Sequence, residues 1–157
     1  MTVAPEKSKV NRSANRFLTI ILGRESYALS AINVREIIRP VEISPVPRSP
    51  KHLLGVINLR GKIIPVVDLR IRFDLEFTGR TERTCIVVVQ TGQGPGNIQL
   101  TGLMVDEACE VLTLTDVEQA PDFGSAVEDA FIRGLAKVKD AVVILLDVEK
   151  MLSDVKS

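Results

Sequence analysis

Short apolar runs separated by turn-forming residues recur along most of the chain. The first, residues 17–22, ends at Gly23, and a second at residues 26–29 predicts an antiparallel hairpin with it. Further strand-like runs follow at close spacing, at residues 53–59, 62–67, 84–90, 98–105, 110–114, 130–138 and 141–146. Many short strands with little helix predict an all-β barrel or sandwich.

Two of these runs do not alternate with polar residues. Residues 86–89 read Ile-Val-Val-Val, and residues 142–146 read Val-Val-Ile-Leu-Leu. A strand of this kind is covered on both faces. In a chain of this length we therefore predict two small β-barrels packed around a shared hydrophobic core. The connector with Pro45, Pro47 and Pro50 and the glycine-rich segment 92–96 are the predicted joints.

Three local features carry predictions of their own. Residues 31–38 fit both a short helical face and strand alternation, and Pro40 ends either one. Arg60 and Gly61 form a tight turn, for which we predict a left-handed conformation at Gly61 only, because arginine disfavours positive φ. Pro65 cannot donate a ladder hydrogen bond, so its strand is predicted to be an edge strand or to carry a bulge there.

The two ends of the chain depart from the strand pattern. Residues 1–15 have no periodicity and predict a flexible leader before a folded domain at 16–157. Residues 148–155 predict a short C-terminal helix. No apolar run approaches the roughly 20 residues that span a bilayer, and the N-terminus lacks an apolar signal region. We therefore expect a cytoplasmic protein without direct membrane insertion.

Composition narrows the function classes. With 20 Lys and Arg against 20 Asp and Glu, the formal net charge is zero, which argues against a nucleic-acid-binding protein. Aromatic residues make up 4% and tryptophan is absent, so the core is predicted to be aliphatic. Cys85 and Cys109 have no metal-binding spacing and are interpreted as reduced core residues.

Candidate chemistry is sparse. The glycines at 92, 94 and 96 superficially match a phosphate-binding loop, but a β-type segment follows where a helix is needed, so a hairpin loop is predicted. His52, the single histidine, has no nearby nucleophile motif or metal-ligand pattern. No cofactor or metal site is predicted.

Three aspartates, Asp68, Asp106 and Asp147, each end an apolar run. Asp68 and Asp147 precede helix-compatible segments and are interpreted as N-caps, and Asp106 as a turn residue. A small enzyme that uses the three carboxylates in one pocket is the remote alternative.

The segment GVINLRGKIIPVVDLR, residues 55–70, resembles the signature of the CheW family of adaptors, which join chemoreceptors to the histidine kinase CheA. Shorter matches extend the resemblance over nearly the whole chain after residue 15, with YAL at 27–29, VREI at 34–37, VP at 46–47, GLMVD at 102–106, GL at 134–135 and LLD at 145–147. The resemblance implies two five-stranded barrels around a shared core and a non-enzymatic scaffold.

The resemblance also implies a receptor-binding site. In the family, the helical hairpin tip of the receptor docks in a groove between the barrels, and the matching positions are Val34, Glu36, Ile37, Arg60, Gly102, Leu103, Met104 and Val105. An apolar groove suits the apolar stripe of a helix, and an arginine on a turn supplies directed hydrogen bonds. Core packing remains the alternative for Val34 and Ile37, and a solvated turn residue for Arg60.

The second implied partner is the regulatory domain of CheA. Gly55 lies in a segment implicated in kinase contact, and Phe123 matches a position of the ring-forming contact. A local hydrophobic plug is the alternative for Phe123. Two further alternatives remain for the whole chain: an adaptor of a non-flagellar chemosensory pathway, such as surface motility or biofilm signalling, and a detached regulatory domain of a kinase.

Overall fold

The computed structural model describes residues 15–75, 79–92, 96–115, 117–118 and 131–152. These residues form ten strands and two short helices. They are β1 Arg16–Leu22, β2 Glu25–Ser30, β3 Val34–Ile38, β4 Leu53–Leu59, β5 Lys62–Asp68, α1 Leu69–Arg72, β6 Cys85–Thr91, β7 Gln99–Val105, β8 Glu107–Thr113, β9 Ile132–Val138, β10 Ala141–Leu146 and α2 Val148–Met151. The all-β prediction is confirmed, and the ambiguous segment 31–38 contains strand β3.

The strands form two five-stranded sheets. The N-terminal and C-terminal strands make the first, in the order β8-β1-β2-β10-β9, and the middle of the chain makes the second, in the order β3-β6-β7-β5-β4. Neighbouring strands are antiparallel except for β2 with β10 and β5 with β7. The predicted pair of five-stranded units is confirmed, with open ladders rather than fully closed barrels.

Each sheet nevertheless curls until its two edges approach. Ser44, in the segment after β3, exchanges two backbone hydrogen bonds of 2.9 Å with Val56 of β4, the opposite edge strand. Glu118, in the segment after β8, exchanges two of 2.8 Å with Leu135 of β9. Among the described residues, one bridge of this kind brings the edges of each sheet together.

The largest apolar cluster, the inter-sheet core, lies between the sheets and includes residues of both helices. A smaller cluster fills the curl of each sheet. In β6, Val87 and Val89 lie in the inter-sheet core, whereas Val88 lies inside its own sheet. The prediction that residues 86–89 are covered on both faces is therefore confirmed. In β10 it fails at Val142, which is 54% exposed because it lies close to the turn after β9.

An internal repeat relates the two sheets. The strand orders match position by position when β6-β7 is placed on β1-β2 and β8-β9-β10 on β3-β4-β5. Helix α2 then follows β10 as α1 follows β5. Asp68 and Asp147 occupy equivalent positions and accept hydrogen bonds from the backbone N–H groups of Arg70 and Lys150, so the predicted N-caps are confirmed. The first half of the repeat is β1–β5 with α1, and the second half is β6–β10 with α2. The first two strands of each half pair in one sheet with the last three strands of the other half.

The turn between β4 and β5 differs from its prediction. Both central residues have positive φ, 51° at Arg60 and 89° at Gly61, so the prediction of a left-handed conformation at Gly61 alone is wrong. The register pairs Leu59 with Lys62, which leaves a two-residue loop. In such a loop, two left-handed residues match the right-handed twist of the flanking strands. Asn58 supports the turn by accepting a hydrogen bond of 2.9 Å from the Gly61 N–H.

Pro65 does not lie in an edge strand, because β5 pairs with β7 on one side and with β4 on the other. The irregularity in the β4–β5 register falls between Leu53 and Gly55, not opposite Pro65. Both parts of the prediction are therefore wrong. The sheet accommodates the proline because the parallel ladder with β7 covers only residues 66–68, immediately after it.

Some predictions fall on residues outside the described part of the chain. These are Phe123, residues 1–14 of the predicted leader, residues 93–95 of the predicted hairpin loop, residue 130 of the predicted strand and residues 153–155 of the predicted C-terminal helix. Within the part that is described, no helix is long and apolar enough to cross a membrane.

Candidate functional site

Strand β3 carries three of the predicted groove residues. Val34 pairs with Val89 but Glu36 pairs with the adjacent Val88, so β3 contains one extra residue, a β-bulge. Because of the bulge, Val34 and Ile37 share the face toward the other sheet, whereas a regular strand would put them on opposite faces. Val34 packs against the inter-sheet core, and Ile37 is 47% exposed.

Arg60 and Glu36 form an ion pair across the curl of the second sheet. Arg60 lies at the tip of the β4–β5 turn, and Glu36 lies in β3, the edge strand on the other side of the sheet. The arginine side chain is 69% exposed and the glutamate side chain 32%. The structure thus brings together two of the predicted residues and leaves most of the guanidinium accessible to a partner.

The remaining predicted groove residues, Gly102, Leu103, Met104 and Val105, lie in β7, the central strand of the sheet. Leu103 and Val105 are 0% exposed and Met104 is 1% exposed. A Cβ on Gly102 would lie 2.7 Å from the Ile86 side chain. Burial on both faces argues against direct contact with a partner, and these four residues shape the sheet from within.

An open groove of about 300 Å³, the inter-sheet groove, continues the face that Val34 occupies. Val34 pairs with Val89, which in turn pairs with Thr101 of the groove. Leu152, the residue after α2, lies on the far side of the groove, and among the described residues the lining is Ile63, Pro65, Thr91, Gln99, Leu100, Thr101 and Leu152. Sequence reasoning missed Ile63, which is 66% exposed. The available signal was the adjacent pair Ile63-Ile64, since successive strand residues point to opposite faces.

Gly55, predicted to contact the kinase, is a buried residue of β4 with φ of 147°. A Cβ there would lie 2.1 Å from the carbonyl oxygen of Ser44, which bridges to Val56. Gly134 occupies the equivalent position, and its Cβ would lie 2.7 Å from the carbonyl oxygen of Glu118. The requirement for glycine thus comes from the approach of the sheet edges, and Gly55 itself presents no side chain to a partner.

The substitution Gly55→Ala is expected to lower the free energy of unfolding by about 3 kcal/mol, through collision with Ser44 and an unfavourable φ. Gly61→Ala is the matched control, because Gly61 also has positive φ but has open space around it, and about 1–2 kcal/mol is expected. Urea unfolding followed by circular dichroism measures both. Equal losses would contradict the steric explanation.

A buried ionic network surrounds Arg70, the second residue of α1, which is 0% exposed. Its guanidinium donates to Asp68 at 3.0 and 3.2 Å, to Asp106 at 2.6 Å and to the Gly79 carbonyl at 3.1 Å. Asp106 also accepts a 2.6 Å hydrogen bond from the Gly23 N–H in the β1–β2 turn. Burial disfavours the charge, but hydrogen bonds and charges of the two aspartates outweigh it and raise the pKa of Arg70.

The network also explains two of the three aspartates. Asp68 and Asp106 share the charge of Arg70, while Asp147 caps α2 in the other half of the repeat. In the described ranges, no three His, Cys, Asp or Glu side chains are grouped so that they could hold a metal ion. These arrangements give structural roles to the aspartates. Sequence reasoning missed Arg70, for which the spacing of Asp68 and Arg70 was the available signal.

The two cysteines differ in exposure. Cys85 is half-buried in β6 and packs against the inter-sheet core, but Cys109 is exposed on the edge strand β8, so its interpretation as a core residue is wrong. Burial raises the pKa of both thiols, and Glu107 adds to the effect in each case. Both thiols are therefore protonated at neutral pH, when thiols are weak nucleophiles.

Comparisons with known proteins agree over most of the chain. The family model described as the CheW-like domain matches residues 16–156. The chemotaxis protein CheW of Klebsiella aerogenes is 33% identical over 139 residues, 87% of this chain and 81% of the relative. The chemotaxis protein CheW of Helicobacter pylori is 32% identical over 151 residues, 95% of this chain and 88% of the relative. The crystal structure of scaffolding protein TtCheW from Thermoanaerobacter tengcongensis has a TM-score of 0.79 at 32% identity, covering 89% of this chain and 88% of that chain.

Proposed function

The chain belongs to the CheW-like family, and from this premise we propose that it is a cytoplasmic, non-enzymatic scaffold that couples chemoreceptors to the histidine kinase CheA. Its sequence similarity to chemotaxis proteins and its structural similarity to a scaffolding protein support this role. The observation that carries the proposal is the inter-sheet groove, which exposes Ile63 three residues from the exposed Arg60 on the same hairpin.

The receptor partner is a helical hairpin tip. The apolar stripe of one helix would occupy the inter-sheet groove and continue along the face of the sheet that carries Val34 and Ile37. Arg60, at the tip of the hairpin that carries Ile63, would form a polar rim that directs hydrogen bonds to the helix ends. Glu36, on the opposite face of β3 from Val34 and Ile37, would hold the Arg60 guanidinium in place. Because the sheets already hold this surface in place, docking avoids the entropy cost of ordering it.

The kinase partner would bind near the bridge between Ser44 and Val56. Val41 and Val46 flank Ser44 in sequence and are 45% and 39% exposed, so this connector offers apolar contact area. Gly55 would act by allowing the bridge to form. Phe123 is proposed for the ring-forming contact on the grounds of the family resemblance alone.

The substitution Ile63→Asp tests the receptor-binding role, because it places a charge on the exposed apolar wall of the groove. Val142→Asp is the matched control, since Val142 is the equivalent exposed position in the other half of the repeat. We expect wild type and Val142→Asp to form a ternary complex with a chemoreceptor cytoplasmic fragment and CheA. For Ile63→Asp, we expect receptor affinity to fall at least about tenfold.

Titration into the two partners, followed by size-exclusion chromatography and kinase assays, measures these effects. Failure of the wild-type protein to join receptor and kinase would contradict the scaffold function. Equal receptor affinity for both variants would contradict the assignment of the groove. Pull-down with the endogenous receptors separates the flagellar pathway from another chemosensory pathway.

A further inference from the structure

Glu149, the second residue of α2, holds the loop that follows β6. Its two carboxylate oxygens accept hydrogen bonds from the Gly92 N–H at 3.1 and 3.2 Å, and one lies 3.5 Å from Nδ2 of Asn33. Asn33 also donates a 2.9 Å hydrogen bond to the carbonyl of Gln90 in β6. Because α2 follows the first sheet and β6 belongs to the second, the carboxylate joins the two sheets.

This contact lies beside the inter-sheet groove. Thr91, immediately before Gly92, lines the groove from the second sheet, and Leu152, the residue just after α2 and three positions after Glu149, lines it from the other side. Both residues are buried, with 2% of their surface exposed, so packing sets their separation. The distance between Thr91 and Leu152 therefore depends on the position of α2 relative to the end of β6. The hydrogen bonds between Glu149 and Gly92 fix that position.

The internal repeat shows what is particular about Glu149. Its equivalent is Arg70, and the equivalent of Gly92 is Gly23. In the first half, the Gly23 N–H donates to Asp106, which the buried Arg70 holds in place. In the second half, one exposed carboxylate makes the contact directly.

Geometry fixes the direction of the Gly92 N–H. Gly92 has φ of 95°, and a Cβ there would lie 2.0 Å from the carbonyl oxygen of Asn97, so the backbone at Gly92 is fixed by this close approach. The backbone thus presents the Gly92 amide to α2. Of the two equivalent contacts, the exposed one with a single carboxylate is the more easily broken, because water competes for its hydrogen bonds.

We propose that Glu149 is a positioning residue for the inter-sheet groove: it holds Leu152 and Thr91 at the separation that accepts a helix, without itself touching the partner. This rests on the proposed function of the groove. By linkage, a helix that binds only at this separation of the two walls strengthens the contact between Glu149 and Gly92 when it binds.

Amide hydrogen exchange in the intact chain tests the contact itself. In Glu149→Ala, the Gly92 amide is expected to exchange about tenfold faster, and in Glu149→Gln by a smaller factor, since the amide oxygen still accepts a hydrogen bond. The Gly23 amide is the internal reference and keeps its rate. Glu110→Ala, at an exposed glutamate of β8, is the control and leaves both rates unchanged. Unchanged exchange at Gly92 in Glu149→Ala overturns the proposal.

Calorimetric binding of a chemoreceptor hairpin fragment tests the consequence. Affinity is expected to fall about three- to tenfold in Glu149→Ala and less in Glu149→Gln, with the melting temperature nearly unchanged. Equal affinity in wild type and Glu149→Ala overturns the positioning role alone. A fragment that does not bind the wild-type protein overturns the proposed function and this proposal with it.

Discussion

Replacing Arg70 by methionine is expected to lower the free energy of unfolding by about 3–5 kcal/mol. Methionine fills much of the space but leaves the carboxylates of Asp68 and Asp106 without the charge that offsets their desolvation. It also disconnects α1 from Asp106, and so from the β1–β2 turn at Gly23. Urea unfolding of the intact chain, extrapolated to water, measures the loss.

Arg83→Met is the matched control for this prediction. Arg83 pairs with Glu107 at 3.8 Å, and its side chain is 73% exposed, so a loss of about 0–1 kcal/mol is expected. Asp106→Asn is a milder second variant, in case Arg70→Met does not fold, and about 1.5–3 kcal/mol is expected because a charged hydrogen bond is lost. If Arg70→Met and Arg83→Met lower the free energy of unfolding equally, the buried network does not hold the sheets together.

The substitution Arg60→Glu is expected to abolish receptor-dependent control of the kinase and to leave folding intact. The Arg60 side chain is largely exposed, so loss of its pair with Glu36 costs about 0–1 kcal/mol of stability. The reversed charge instead removes the guanidinium donors from the rim and places two carboxylates together. Autophosphorylation of the kinase in reconstituted receptor complexes, with thermal unfolding in parallel, measures both effects.

A charge-swapped double variant, Glu36→Arg with Arg60→Glu, distinguishes two explanations of this loss. The double variant restores an ion pair across the curl of the sheet. If Arg60 donates directly to the receptor, control stays lost, as we expect. If the pair only braces the sheet edges, control returns. Retained control in Arg60→Glu alone would refute the role of Arg60 in coupling.

Local patterns predicted much of the fold because they depend on neighbours in sequence. Residues 86–89 are an example, since an unbroken apolar run indicates a strand buried on both faces without any knowledge of the elements that cover it. Asp68 and Asp147 are similar, because a cap acts on an N–H group two or three residues away. The turn at Arg60 was mispredicted because strand twist outweighed the φ preference of arginine.

The candidate site was less predictable, because its residues meet over long separations. The bulge in β3 decides that Val34 and Ile37 share a face, and it is visible only in the register with β6. The central position of β7 decides that residues 102–105 are buried, although the same sequence in an edge strand would be half exposed. Ile63 and Leu152 line one groove only because strands from both halves pair across the repeat.

By itself, then, the sequence determined most of the strands, the helix caps and the family, since each is recorded in short stretches of neighbouring residues. Only the tertiary structure decided which charges pair. Arg60 meets Glu36 across 24 residues, Arg70 meets Asp106 across 36, and Glu149 meets Gly92 across 57. The physical reason is that strand pairing and register bring distant residues together, since a shift of one residue would turn every strand side chain to the opposite face and move the turns and helices that the strands carry.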